Sequence, residues 1–471
     1  MNRLKLILFL AIIAGLGSKI TQAQTDSTYR FSLSQALEYA IGNNQSILNA
    51  NLDVEAAKQK VWEITTIGLP QASANISGSY SPVLSASIES FSSLGMLGQW
   101  MYGADQALRD LTSDPKFGNI PDPGPPEPVN TDDMKWSLSG TATVSQLIFS
   151  GSYLVGLQSA KVYKSLSELN RVKSIQDITE SIKNSYFNVL IARENMLILD
   201  STYQNLSKTL SDMEAIGKQG LLEETDVDQM RITLSNVKIS LDLITRLADI
   251  ADRLFKIQLG IDFNSNLVLT DNLDNLVNLM SYESLLLADL VLDDNVTYQM
   301  LDAQVKATEL QLKLTKSAFL PDLAAFYQYQ KEFNENAFSF TPPHIIGVGM
   351  NIPIFSSGMR LSKVKQAKIE LMKTQNNQEQ MGDYIRLDFY NNKSALIAAR
   401  DKYQAESKNM DLSKRILNKS MIKFSNGVIS STELTQIQNQ YLTTQSNYYQ
   451  SLQELISSKN KLEKFLSKTE Y

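Results

Sequence analysis

A chain of 471 residues is too long for one ordinary hydrophobic core. One histidine and no cysteine leave no conventional zinc set and no disulfide framework. Lys and Arg number 44 against 50 Asp and Glu, a formal net charge of −6, which offers nucleic acid no basic footprint.

The N-terminus reads MNRLKLILFLAIIAGLGSKITQAQ. Arg3 and Lys5 form a positive n-region, Leu6–Leu16 an apolar core, and Thr21-Gln22-Ala23 a small-residue cleavage site. This predicts a secretory signal peptide over residues 1–23. Its apolar run is shorter than the ~20 residues of a spanning helix, and no later run reaches that length. Any membrane crossing therefore has to be made by strands.

Helical sequence then runs to Leu69-Pro70, where the pattern changes. In QASANISGSY, Ala72, Ala74, Ile76, Gly78 and Tyr80 alternate with Gln, Ser and Asn. A stretch over residues 81–133 follows, with Met96, Trp100 and Met101 too apolar for a purely solvated loop and a proline-rich end. A lid and a surface loop are both compatible with it. WSLSGTATVSQLIF alternates again, placing Trp136, Leu138, Gly140, Ala142 and Val144 on one face. Segments of about ten residues with one apolar and one small polar face, and aromatics near the ends, mark outer-membrane barrel strands. A half-buried sheet in a soluble domain is the alternative.

From Gly151 onward the sequence is helical. Leu199, Tyr203, Leu206, Leu210 and Met213 form one heptad seam, and Met230, Leu234, Val237, Leu241, Ile244, Ala248, Ala251 and Phe255 a second. The short break at Gly217–Glu224 predicts an antiparallel hairpin. Residues 261–292 read as short elements linking two halves. A second helix then reaches Leu320-Pro321, two further strands follow (Leu323, Ala325, Tyr327 and Tyr329; Ile346, Val348, Met350, Ile352 and Ile354), and helix resumes beyond Gly358.

The halves are duplicates. An offset of 251 sets Asn44 on Asn295, Val54 on Val305 and Leu69-Pro70 on Leu320-Pro321. An offset of 207 sets Gly151 on Gly358, Gly220 on Gly427 and Thr225 on Thr432. The repeats span residues 24–260 and 293–471, and one fold is expected for both. All 12 prolines fall within Pro70–Pro128 or Pro321–Pro353, which leaves the intervening stretches free to form long helices. Each repeat supplies two strands. Four strands cannot close a barrel of the ~8 or more strands known, so the chain has to pool strands with copies of itself.

At the hairpin tips, Gly220 and Gly427 suit helix ends that need a left-handed residue. Thr225 with Asp228, and Ser430 with Glu433, have capping-box spacing. Asp226 and Glu433 sit where a carboxylate favours a helix N-terminus.

The duplicated Leu-Pro before a strand, the IFSG and IFSSG after it, and the tips GLLEETDVDQ and GVISSTELTQ resemble the TolC-like outer-membrane channel-tunnels. That resemblance covers nearly the whole exported chain. It implies a mainly α fold with a membrane β-barrel: long antiparallel helical hairpins and four strands per chain, closing as a homotrimer with a twelve-stranded barrel and a periplasmic helical tunnel. It implies an exit duct with no catalysis and no cofactor, docked to a periplasmic adaptor and an inner-membrane pump and embedded in outer-membrane lipid. Efflux and type I secretion both fit. Pro70, Pro321, Gly151 and Gly358 would mark the helix-to-strand transitions. Asp226, Glu433 and Asp228 would stand at the periplasmic mouth, on tips shaped by Gly220, Thr225, Gly427 and Thr432. Ile429 and Gln436 depart from the arginine and further acid of well-known members. A ring of carboxylates in a narrow mouth predicts cation selectivity. The rival is an exported, non-conducting coiled-coil scaffold or adhesin.

Overall fold

The structure, a computed structural model, describes residues 28–80, 84–124, 136–220, 222–333 and 342–468. The expected signal peptide and the stretches 81–83 and 125–133 of the insertion lie outside them. The chain forms β1 (Thr28–Phe31), α1 (Leu33–Asn43), α2 (Gln45–Thr66), β2 (Gln71–Tyr80), α3 (Leu84–Thr112) and β3 (Trp136–Phe149). Two long helices follow, α4 (Gly151–Gly217) and α5 (Glu224–Leu259), then β4 (Asn266–Leu269), α6 (Leu273–Asn278) and α7 (Glu283–Leu287). The second half is α8 (Val296–Ser317), β5 (Asp322–Glu332), β6 (His344–Asn351), α9 (Met359–Ser425) and α10 (Ser431–Leu466). Both α4 and α9 have 67 residues, about 100 Å at the α-helical rise. Among the described residues no helix is long and apolar enough to cross a membrane.

Two compact units result. The first combines Met1–Ala56, Ser165–Val305 and Thr374–Tyr471. In it the heptad seams of α4 and α5 meet those of α9 and α10: Leu206, Met213, Val227, Met230, Val237, Leu417, Leu434 and Tyr441 bury one another. A second cluster joins Phe31, Tyr186, Phe255, Leu259, Leu267 and Ile456. There β1 pairs in parallel with β4. The buried Tyr186 hydroxyl donates to the Asp271 carboxylate (2.9 Å) and the Phe31 carbonyl (3.2 Å), while Asp271 also accepts the Leu33 N–H (2.7 Å). Asp271 thus ties the start of α1 to the middle of α4.

The second unit combines Ala57–Lys164 and Lys306–Lys373. Its antiparallel sheet has the order β2-β3-β5-β6. The register carries the alternation across strands: Ile76 faces Gly140, Val144 faces Ala72 and Tyr327, and Tyr327 faces Ile346. One sheet face is therefore apolar. The other carries Ser73, Asn75, Ser77, Thr141, Thr143, Gln328 and Gln330 in register. β6 stops at Asn351, so Ile352 and Ile354, expected on its apolar face, lie beyond the strand, where Pro353 has no N–H to extend the ladder.

Candidate functional site

Two regions are candidates for the functional site: the sheet and the hairpin tips. In the sheet the apolar face is the more exposed one. Ile76 is 73% exposed, Ile346 83% and Val348 65%. Ser139, Thr141, Thr143, Gln328 and Gln330, on the polar face, are all less exposed than their apolar neighbours in β3 and β5 Leu138, Ala142, Val144, Tyr327 and Tyr329. A sheet in water does the reverse, because apolar area is what water expels. Both edges are open as well, since among the described residues β2 and β6 each pair on one side only.

Every strand meets its helix at the same end of the sheet. Pro70 stands between Thr66 and Gln71, and Pro321 between Ser317 and Asp322, each just before a strand. Gly151 opens α4 directly after β3, and Gly358, at φ +83°, precedes α9. The first junction is cross-braced. Gln146 Nε2 donates to the Gly68 carbonyl (2.5 Å), and the Tyr153 hydroxyl donates to the Thr65 carbonyl (3.2 Å). The Tyr153 ring occupies the space a Cβ at Gly68 would need, so a larger residue there has to displace that ring. Gln146 and Tyr153 escaped the sequence reading, because neither belongs to a periodic pattern.

At the tips, Gly220 (φ +77°) and Gly427 (φ +73°) are both left-handed. The second tip is a Schellman turn: Gly427 N–H donates to the Phe424 carbonyl and Val428 N–H to the Lys423 carbonyl, each at 2.9 Å. The expected capping box of Thr225 and Asp228 does not form. Glu223 is the N-cap of α5 and makes no side-chain cap bond. The helix begins two residues earlier than that box requires, so Thr225, already inside it, donates its hydroxyl to Glu223 (3.3 Å) instead. Asp228 pairs with Arg231 (2.9 Å), which also binds Glu214 (2.7 Å). The hydrogen bonds that Arg231 donates, first to Glu214 and then to Asp228, push its pKa up. At the second tip Ser430 caps α10 by accepting the Glu433 N–H (3.2 Å), one half of the expected box. Thr432 and Glu433 are exposed.

Asp226 is half-buried. Its carboxylate accepts a hydrogen bond from the hydroxyl of Ser431, which is 2% exposed. One hairpin tip is thereby tied to the other. Ser431 was missed in the sequence because its neighbour Ser430 already accounted for the cap. The Arg231 pairing could have been read from its i,i+3 spacing to Asp228.

A sheet with its apolar residues exposed, joined to helices with no membrane-spanning apolar stretch among the described residues, is the arrangement expected of an outer-membrane strand module. Known proteins agree. Residues 287–467 match the family described as Outer membrane efflux protein. No curated protein sequence matches the chain. In fold it is similar to the transmembrane channel CusC (15% identity, 94% of this chain and 95% of that one, TM-score 0.68). It is also similar to the CmeC outer membrane channel of Campylobacter jejuni (15%, 93% and 87%, TM-score 0.68), and to the MtrE outer membrane channel of Neisseria gonorrhoeae in its open state (16%, 92% and 88%, TM-score 0.66). The second repeat thus matches the outer membrane efflux protein family in sequence, and the whole chain shares the fold of these channels.

Proposed function

We propose that this chain is the outer-membrane exit duct of a tripartite efflux or type I secretion system, passively conducting small molecules or proteins. Three copies pool four strands each into a twelve-stranded barrel. The helices reach into the periplasm, where a periplasmic adaptor and an inner-membrane pump engage them. The observation that carries the reading is the inverted sheet: in β3 and β5 its apolar residues are exposed and its hydroxyl and amide residues more covered, and among the described residues both edges are open. Lipid covers the first, a lumen accounts for the second, and neighbouring copies supply the third. A scaffold or adhesin has no use for such a sheet. The trimer gains support from α5, which exposes Ile232, Ile239, Leu243, Ile250, Leu254 and Ile257. That is a second helical stripe beside the seam buried within the chain, and a neighbouring copy would cover it.

In this reading Asp226 and Glu433 stand at the periplasmic mouth. Asp226 has two roles there, acceptor for Ser431 and source of negative charge. The test is single-channel current in planar bilayers, comparing wild type with Asp226→Ala/Glu433→Ala. Small cation-selective openings, blocked by multivalent cations, whose selectivity falls in the double variant place these carboxylates in the mouth. Unchanged selectivity reduces them to helix-end residues, and no current from intact trimers refutes the duct.

A further inference from the structure

The insertion between β2 and β3 carries a surface that the single chain leaves without a partner. Helix α3 spans Leu84–Thr112. The chain after it folds back along one side of the helix. Asp105 accepts the backbone N–H groups of Gly118 (2.8 Å) and Ile120 (3.1 Å), and Gln99 donates to the Gly124 carbonyl (3.3 Å). On another side, Leu97, Met101, Ala104, Leu108 and Leu111 follow one another at steps of 4, 3, 4 and 3. That is the a/d spacing of a coiled-coil seam. Leu97, Met101, Leu108 and Leu111 are exposed, Leu111 to 83%, and Trp100 beside them to 71%. The seam contains no charge. Among the described residues of the insertion none covers it.

We propose that this seam packs against the same seam of the other two copies. The three α3 helices then form a parallel three-helix coiled coil over the outer end of the barrel. The inference rests on the trimeric reading above. Three observations select a second copy over other occupants. The seam has heptad spacing, which pairs with a like helix. The insertion leaves the sheet from β2, an open edge strand that already requires a neighbouring copy. And it leaves at the end of β2 opposite the helix junctions, where Tyr80 faces Trp136 across the strands, so three copies converge about one axis. The bundle narrows the outer exit.

The chain has no cysteine, so one introduced thiol reports cleanly. Leu108→Cys lies in the seam, and Asp110→Cys lies outside it on the same helical turn. Heat-resistant trimers of each are mildly oxidised and run on denaturing gels. The expected result is a dimer band holding most Leu108→Cys chains, since three thiols in a bundle close only one disulfide, and no dimer from Asp110→Cys. In planar bilayers, oxidised Leu108→Cys trimers should carry several-fold less current than reduced ones. Intact trimers in which neither variant, or both equally, cross-link overturn the bundle. So does quenching of Trp100 fluorescence by brominated phospholipid, measured with Trp62 and Trp136 replaced by Phe, because α3 would then lie on the membrane. Absence of trimers before oxidation refutes the underlying trimer and is seen in the unoxidised lane.

Discussion

Two neighbouring residues of β3 test the inverted sheet directly. Ala142 lies on the apolar face, with Ala74 and Tyr329 as its cross-strand partners. Thr141 lies on the polar face between Asn75 and Gln330. Both are mid-strand, so depth in a membrane is nearly the same for each. Ala142→Lys puts an ammonium into lipid at a cost of about 2–4 kcal/mol per chain near the midplane. Three copies raise this to about 6–12 kcal/mol per trimer, comparable with the whole stability of an ordinary domain. Thr141→Lys puts the same ammonium among hydroxyl and amide groups facing water, where the cost is about 1 kcal/mol or less. The assay is the yield of heat-resistant trimers in outer-membrane vesicles, followed by urea titration of refolding into bilayers. Ala142→Lys should nearly abolish trimers. Thr141→Lys should retain them and shift selectivity toward anions. Equal tolerance of the two, or greater damage from Thr141→Lys, refutes the assignment of faces.

Three further outcomes follow from the first unit and the tips. Tyr186→Phe removes the hydroxyl that holds Asp271 and Phe31; it should cost about 1–3 kcal/mol and speed proteolysis around residues 28–33, and unchanged cleavage would count against the clamp. Glu463 lies between Lys183 (2.7 Å) and Lys459 (3.0 Å); burial works to raise its pKa, but the two cations outweigh it and hold the carboxylate below its ordinary range. A depressed folded pKa means stability present above the ordinary Glu range and lost as pH falls through the folded value. Glu463→Gln should therefore lower the melting temperature at neutral pH and flatten its acid limb, an effect of about 1 kcal/mol or less given the exposure of the pair; parallel wild-type and variant profiles would exclude it. Gly427→Ala forces a Cβ into a left-handed turn and should cost about 1 kcal/mol, read as faster amide exchange at Val428, whose N–H closes the Schellman turn.

Most of this architecture was legible because the strongest signals are periodic. The long helices appear in the sequence as heptad seams whose members are the buried residues of the bundle, such as Leu206, Met213, Met230 and Val237. The barrel strands appear as alternation that the register preserves across four strands. The duplication then supports each reading twice. Elements too short to show a period were not legible. β1 and β4 have four residues each, and their pairing joins positions more than 230 residues apart. Helix α3 was lost for another reason. Its seam is only two heptads long and ends beside a proline-rich segment, between two strands where a loop is the ordinary connection.

The tips show that duplication fixes where a helix starts but not how it is capped. The N-caps Glu223 and Ser430 are equivalent at the offset of 207, yet only Ser430 forms a side-chain cap bond. The difference lies in what each tip has to hold. At the first, Arg231 draws Glu214 and Asp228 together within one hairpin. At the second, Ser430 closes the helix end, and Ser431 reaches the other hairpin through Asp226. In the proposed mouth, the contact between the two hairpins is the Ser431 hydroxyl on the Asp226 carboxylate, with no arginine in it. Ile429, where well-known members carry arginine, is packed into the apolar cluster instead. In the proposed mouth the apolar seam is expected to carry most of the closing free energy, with Asp226 supplying register. Removing Asp226 should then change the charge of the mouth more than its closure.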